Sequence, residues 1–448
     1  MVDRPRVPNI DGSNYSDNDS FDFADFWSPW HSKIRGTAND DDIFAKGGND
    51  VVEGGNGNDW LHGEDGDDTL YGQQGNDFLE GGWGSDRLYG GIGDDTYYIR
   101  DTADQVFENA GEGTDTVRSQ VDYTLGANIE NLILEPATTY PGLGGSPSLT
   151  LAAPIRGRGN SLNNSIDGNE ADNILEGFGG NDRLFGAAGR DTLYGGSGND
   201  TLIGGTDNDT IYGGANDDFI WGGAGVDSLF GGAGDDTYML YEDTSDIITE
   251  YADGGIDKVN SYSSYTLGAN LENLELVNTD SAYNGIGNSL NNKITGNSRN
   301  NYLDGADGND ILRGYGGNDY LVGGAGNDSL VGTYDTSTSN SELDTLMGGS
   351  GADYFNLGFN IHGTNIYYRG TGYATILDFT VARTSTGAYD SSNSDKIILG
   401  GSLSDYSVDK TINRNGGTAL DTSIFYRGDL IGVLQDTTDF QLSRDVIL

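Results

Sequence analysis

The sequence predicts an all-β solenoid, a chain wound into stacked coils. Three observations predict it. A nine-residue unit recurs in register, aspartate holds its sixth place, and a large apolar residue holds its eighth. In residues 177–239 the unit passes seven times without a slip, from GFGGNDRLF to GGAGDDTYM. A fixed short period marks a repeat architecture, in which each unit stacks only on its neighbours.

Composition narrows the possibilities. Glycine is 73 of 448 residues and proline only 7, so glycine is about twice ordinary usage. Collagen needs glycine at every third residue and much proline, and is excluded. Carboxylates outnumber Lys plus Arg by 71 to 23, for a formal charge of −48. Such a charge opposes compaction and excludes nucleic acid and anionic membrane as natural partners. Something cationic must be supplied for folding, and the aspartate spacing points to divalent metal. There is no cysteine, hence no disulfide and no thiolate site. No run of about 18 apolar residues spans a membrane. The first twenty residues lack the apolar core of a signal peptide. The expectation is a cytoplasmic protein, or one exported by a route that does not read the N-terminus.

Residues 1–35 are a polar head ending in Phe21, Phe23, Phe26, Trp27 and Trp30. They read as a cap over the open end of the stack, with a ligand-binding aromatic patch as the alternative. The first array occupies 36–98. A spacer, 99–156, contains DQVFENAGEGTDTV and YTLGANIENLIL. The second array occupies 157–239, and a second spacer, 240–284, contains DIITEYADGGIDKV and YTLGANLENLEL. Asp104, Glu108 and Asp115 correspond to Asp246, Glu250 and Asp257, each 142 residues later, so array and spacer are duplicated together. Apolar alternation predicts strands in both spacers, continuing the sheet or packing across its side. The stretch 138–154, with three prolines, is expected to be a loop.

Run-in units with asparagine at the sixth place, Asn164, Asn173, Asn292 and Asn301, open the second and third arrays. They are expected to be metal-free rungs held by amide hydrogen bonds. The third array, 285–357, steps 16 residues from Asp328 to Asp344, nine plus seven, so a seven-residue surface loop is inserted within TYDTSTSNSE. The tail, 358–448, alternates polar and apolar residues and reads as a β-rich cap.

The unit is GGxGxDxUx. Its glycines permit tight turns that aim carbonyls inward. The last three places form a short strand with U pointing in. Two units make one coil, so turn n stacks on turn n+2 and their aspartates bracket an oxygen-lined cavity. Hard oxygens in flexible number suit Ca²⁺ better than Mg²⁺ or Zn²⁺. The metal-ligating candidates are Asp41, Asp50, Asp59, Asp68, Asp77, Asp86 and Asp95; Asp182, Asp191, Asp200, Asp209, Asp218, Asp227 and Asp236; and Asp310, Asp319, Asp328, Asp344 and Asp353. Stacking implies roughly a dozen Ca²⁺ ions.

With these residues the chain resembles the repeats-in-toxin (RTX), hemolysin-type calcium-binding proteins over nearly all of its length after residue 35. The resemblance implies a right-handed parallel β-roll. It also implies export of an unfolded chain by type I secretion through an uncleaved C-terminal signal, which the ending DVIL resembles. Sites of about 10⁻⁴ to 10⁻³ M affinity stay empty in cytosol and fill outside the cell, so folding follows calcium.

No catalytic set is visible. HExxH and GxSxG are absent, and His31, His62 and His362 lie far apart. The expected function is a secreted, non-enzymatic, calcium-dependent structural protein: surface layer, sheath, matrix or motility coat. The alternatives are a calcium-dependent adhesin or carbohydrate-binding protein, and a polysaccharide-modifying enzyme. The outward ninth places of the second array, Phe185, Ile203, Trp221 and Met239 on one side and Tyr194, Tyr212 and Phe230 on the other, form apolar rows. They are expected to meet either the chain itself or further copies in a lattice. The irregular third places argue against an ice-binding row. Expected partners are calcium ions, other copies of the chain and an extracellular polysaccharide.

Overall fold

The computed structural model describes residues 33–447 apart from 137, 141–148, 152–154, 242–244, 279–282, 334–340, 360–364, 367, 369–371, 387, 401, 414–419, 436 and 438. The predicted aromatic cap of residues 21–30, His31, His362 and the seven-residue insertion lie outside the described residues. No described helix is long and apolar enough to cross a membrane. The chain is a parallel β-solenoid and divides into two compact units, Met1–Gly232 and Ala233–Leu448.

In the first unit alternate repeats build opposite walls. Val51–Asn56, Thr69–Gln74 and Arg87–Ile92 pair in parallel on one side. Trp60–Asp65, Phe78–Trp83 and Thr96–Ile99 pair on the other. Partners such as Val52↔Leu70 are 18 residues apart, so two units make one coil, as the period requires. The eighth-place residues Val52, Leu61, Leu70, Leu79 and Leu88 are completely buried, as are Leu184, Leu193, Leu202, Ile211 and Ile220. They form the apolar column between the walls.

The strands are longer than the three residues expected. They run from the seventh place through the third place of the next unit, as in Thr201–Thr206. Within them the first-place glycine leaves the pairing without shifting the register, since Ile203↔Trp221 is followed by Gly205↔Gly223. The spacer continues the sheet: Thr116–Ser119 pairs with Thr96–Ile99 and with Asn131–Leu134, which pairs with Ser165–Asp167. The stretch predicted as a loop holds an antiparallel hairpin, Thr138–Tyr140 with Leu149–Leu151.

In the second unit Thr237–Leu240, Lys258–Ser261, Asn273–Leu276 and Lys293–Thr295 stack in the same way. The insertion in the third array leaves the coil in phase: Tyr320–Ala325 pairs with Leu343–Ser350, a separation of 18 plus seven. The C-terminal cap is a meander, Tyr406–Ile412, Asp421–Tyr426 and Asp429–Leu434. Its last strand joins the solenoid wall beside Tyr373–Ile376. Buried Phe355, Ile424, Val433 and Phe440 extend the apolar column into this cap. The extreme tail is part of it too, with Ile397↔Val446 paired in parallel.

A one-dimensional stack should fail locally. Leu202→Ala is expected to cost about 2–5 kcal/mol, read by hydrogen exchange as faster exchange in the coils beside it while distant coils keep wild-type protection. A uniform loss of protection would contradict nearest-neighbour stacking.

Candidate metal centres

All nineteen aspartates singled out by the sequence are buried, none more than 5% exposed. Each array brings them into ladders along the coil axis. The Asp41 N–H donates to Asp59 Oδ1 at 2.9 Å, that of Asp59 to Asp77 Oδ1 at 2.8 Å, and that of Asp77 to Asp95 Oδ1 at 2.7 Å. On the other wall the Asp50 N–H donates to Asp68 and that of Asp68 to Asp86, both at 2.7 Å. The same rungs join Asp182, Asp200 and Asp218, then Asp191, Asp209 and Asp227. In the second unit Asp310 donates to Asp328, Asp319 to Asp344 and Asp328 to Asp353.

One carboxylate oxygen is therefore used by the backbone and the other is not. The Oδ2 atoms of Asp59, Asp68, Asp77, Asp86, Asp95, Asp182, Asp191, Asp200, Asp209, Asp310, Asp319, Asp328 and Asp353 are buried without a hydrogen-bond partner. A buried anionic oxygen without a partner is costly and demands an explanation. Each faces the first-place glycine of its own unit. A Cβ built on Gly54 would overlap Asp59 Oδ2 and lie 3.0 Å from the Gly72 carbonyl oxygen; on Gly204 it would overlap Asp209 Oδ2 and lie 2.5 Å from the Gly222 carbonyl. A carboxylate oxygen and a main-chain carbonyl thus converge on a space kept open by glycine. This all-oxygen donor set fits Ca²⁺.

The second place distinguishes the aspartate units from the asparagine units. It has positive φ in seventeen of the nineteen aspartate units, even where the residue is Lys46, Glu64, Gln73, Phe178, Ala187, Ala306 or Tyr315. A left-handed conformation costs about 1–2 kcal/mol outside glycine, and such strain persists where the surroundings enforce it. In the asparagine units Asn160, Asn169, Asn288 and Asn297 stand at this place without positive φ. Their N–H groups donate at 2.7 Å to the Oδ1 of Asn164, Asn173, Asn292 and Asn301. The Asn164 amide also donates to the Ile129 and Glu130 carbonyls, both at 3.1 Å. These rungs satisfy their own oxygens, as expected of metal-free units.

Two candidates differ from the rest. Asp41 Oδ2 accepts from the Thr37 N–H at 2.5 Å, the asparagine-type arrangement. Asp344 Oδ2 accepts from the Tyr368 hydroxyl at 2.5 Å.

The electrostatics follow from burial. Asp209 and Asp319 are pushed up to about 8, and Asp59, Asp182 and Asp310 to about 7. Asp68, Asp200 and Asp328 rise to about 6. Desolvation is the largest cause throughout, the backbone N–H bond opposes it, and for most of these carboxyls neighbouring acids add to the rise.

The sequence reading missed two sets of rungs. Outside the aspartates, fifth-place side chains form a second ladder of opposite sense: the Asn58 N–H donates to Asp40 Oδ1, and that of Asn76 to Asn58 Oδ1, both at 2.8 Å. The aspartate ladder also passes beyond the arrays, from Asp86 to Asp104, Asp95 to Asp115, Asp236 to Asp257 and Asp353 to Asp395. The signal was present, since an apolar residue follows each of these acids by two: Val106, Val117, Val259 and Ile397. Spacings of 20 and 21 residues, from Asp95 to Asp115 and Asp236 to Asp257, hid it.

His62 lies in an outer row. Its ring stacks on Phe44 at 4.5 Å and its Nδ1 is 3.0 Å from Glu80 Oε2, while Arg100 pairs with Glu80 at 2.6 Å. The apolar rows are half-open: Tyr194, Tyr212 and Phe230 stack at 5.0 and 4.8 Å, with Tyr194 42% exposed.

The family model for the RTX calcium-binding nonapeptide repeat matches residues 35–70, 62–97, 158–193, 194–229, 203–238, 286–332 and 335–360. No curated protein matches the chain. Among solved structures, a subunit of the Azotobacter vinelandii mannuronan C5-epimerase is similar at 22% identity, over 36% of this chain and 80% of that one, with a TM-score of 0.14. A Ca²⁺-dependent β-helical antifreeze protein from an Antarctic bacterium is similar at 15% identity, over 78% and 86%, with a TM-score of 0.15. With its nonapeptide arrays, its stacked parallel walls and its glycine-fronted aspartates, the chain belongs to the RTX calcium-binding repeat proteins.

Proposed function

We propose that this is a secreted structural protein of the cell surface or extracellular matrix, a surface layer, sheath or motility coat, that folds when calcium fills its arrays. The observation that carries this reading is the row of buried, partnerless Asp Oδ2 atoms, most of them, as at Asp59 and Asp209, beside a glycine carbonyl. Bound calcium supplies the positive charge that these oxygens lack. The chain's own part is to hold the oxygens apart at fixed spacing through the backbone rungs. Sites of about 10⁻⁴ to 10⁻³ M are filled outside cells, so chain, charge and compartment agree. The nineteen aspartates of the arrays, less Asp41 and Asp344, are the proposed ligands. The half-open aromatic rows suit contacts between copies.

The test is a calcium titration of the purified full chain followed by circular dichroism, light scattering and electron microscopy. Ordered assemblies at millimolar calcium are expected, with Trp221→Asp folding and binding calcium but assembling no further. A wild-type chain that folds and stays monomeric would remove the lattice reading. A second reading, a calcium-dependent carbohydrate-binding protein, is favoured by the continuous aromatic row of Tyr71, Tyr89 and Phe107, whose rings stack near-parallel at 16° and 12°. Binding on a glycan array by the monomeric chain would select it.

A further inference from the structure

We propose that each of the first two arrays ends in a second kind of calcium site, built from three side-chain carboxylates where the spacer meets the coil. The residues are Asp95, Glu108 and Asp115 in the first unit, and Asp236, Glu250 and Asp257 in the second. Each residue offers one carboxylate oxygen, and the three oxygens of a set lie within 4.8 Å of one another. The inference rests on the calcium reading above; Asp95 and Asp236 belong to the arrays, but Glu108, Asp115, Glu250 and Asp257 come from outside the nonapeptide pockets, which pair one carboxylate with main-chain carbonyls.

The cluster is more than an accumulation of acids. Asp95 is 1% exposed; its Oδ1 takes the Asp77 N–H at 2.7 Å, and its Oδ2 has no partner. That Oδ2 lies beside the Tyr97 hydroxyl, since both would overlap a Cβ on Gly90. The Tyr97 hydroxyl in turn donates to Glu108 Oε1, and Glu108 Oε2 is buried without a partner. The orphaned oxygen of Asp95 therefore points to where Glu108 arrives. In the other copy Asp257 is 1% exposed, with Oδ1 bonded to the Asp236 N–H at 2.9 Å and Oδ2 without a partner. Tyr238 donates to Glu250 Oε1.

The surrounding residues hold the set in place. Glu130 Oε2 accepts from the Asp115 N–H at 2.9 Å, and Glu272 Oε2 from the Asp257 N–H at 2.8 Å. The Asn128 and Asn270 amides donate to the main-chain carbonyls of Glu108 and Glu250 at 3.0 and 2.9 Å. The eighth place, aliphatic in the preceding units, is tyrosine at Tyr97 and Tyr238, long enough to reach the glutamate from the apolar column. Three carboxylates at this separation, all buried in the second set and with Glu108 half-buried in the first, repel one another unless a cation lies between them, and oxygen donors in this number suit Ca²⁺. Affinity rises with the count of charged ligands, so these sites fill at lower calcium than the nonapeptide pockets and fasten each spacer to its array.

The experiment counts calcium bound to the full chain by equilibrium dialysis and elemental analysis, for wild type, Glu108→Gln, Glu250→Gln and the double variant. Neither glutamate side chain takes part in the backbone rungs. Each single variant is expected to bind about one ion fewer and the double about two, with the deficit already present at the lowest calcium concentrations and wild-type circular dichroism at saturation. Equal counts in wild type and double variant overturn the proposal. If the Gln variants fail to fold, Glu108→Asp is titrated instead. It keeps the charge on a shorter arm, and a folding midpoint at several-fold higher calcium supports the site, whereas an unchanged midpoint overturns it. No calcium uptake by wild type would instead refute the calcium reading itself, a separate outcome.

Discussion

At about pH 8, chelating calcium unfolds the chain, and acidifying the chelated protein to about pH 4 restores sheet. The sign follows from the buried aspartates. Their unfolded value is 3.8, and in the fold they rise to about 8 at Asp209 and Asp319, about 7 at Asp59, Asp182 and Asp310, and about 6 at Asp68, Asp200 and Asp328. A carboxyl whose folded value is raised binds its proton more tightly folded than unfolded. Its contribution to calcium-free stability is complete below about 3.8 and is lost as pH climbs through 6–8. Above that range these eight aspartates must be both buried and charged, and the formal −48 of the whole chain adds repulsion. Calcium reverses the preference because it takes the charged form, so its affinity should fall as pH drops through the same window. A site held at tenfold its dissociation constant adds about 1.4 kcal/mol. Four such sites add about 6 kcal/mol and a dozen about 17 kcal/mol, against the roughly 5–15 kcal/mol by which ordinary domains are stable. Far-ultraviolet circular dichroism against pH, with and without chelator, reads both effects. Sheet that persists in chelator at pH 8 would show that the carboxylates need no ion.

Gly204→Ala should raise the calcium midpoint several-fold, with loss of cooperativity at the middle of the second array. Gly204 is not among the positive-φ residues, so alanine is free to adopt its backbone angles. The obstacle is space: the new methyl would overlap Asp209 Oδ2 and lie 2.5 Å from the Gly222 carbonyl oxygen. Overpacking of this kind costs about 1–3 kcal/mol, and here the methyl also fills the place where two oxygens converge. Thr206→Ala, at an exposed third place two residues on, is the control and should change stability by less than about 0.5 kcal/mol. Calcium titrations of the two variants that superimpose would show that first-place glycine serves the backbone rather than the pocket.

The contrast between Gly204 and its neighbour Gly205 shows how far the sequence could be read. Both are glycine in every second-array unit from 195 to 232, yet for different reasons. Gly205 has φ of +127°, which the coil requires; Gly204 has an ordinary φ and is glycine because a side chain would fill the pocket. The turn argument made from sequence covers only the first of these. The second place is also left-handed at Phe178 and Ala187, where no residue preference announces it. Closure of the coil imposes that conformation. Asp115 and Asp257 were passed over because the spacers add two and three residues to the 18-residue step, and only folded pairing shows the ladder absorbing them.

The period of nine, aspartate two places before each apolar residue, and the surplus of acid over base make a stacked, oxygen-lined, calcium-binding solenoid legible in the sequence alone. Those are local and repeated facts, and repetition makes them legible. Which oxygen of each aspartate goes to the backbone, why Asp344 differs from its neighbours, and how Glu108 and Glu250 reach the arrays were settled by contacts between residues 11 to 25 apart. Such contacts exist only once the coil has closed, so no reading of neighbouring residues contains them.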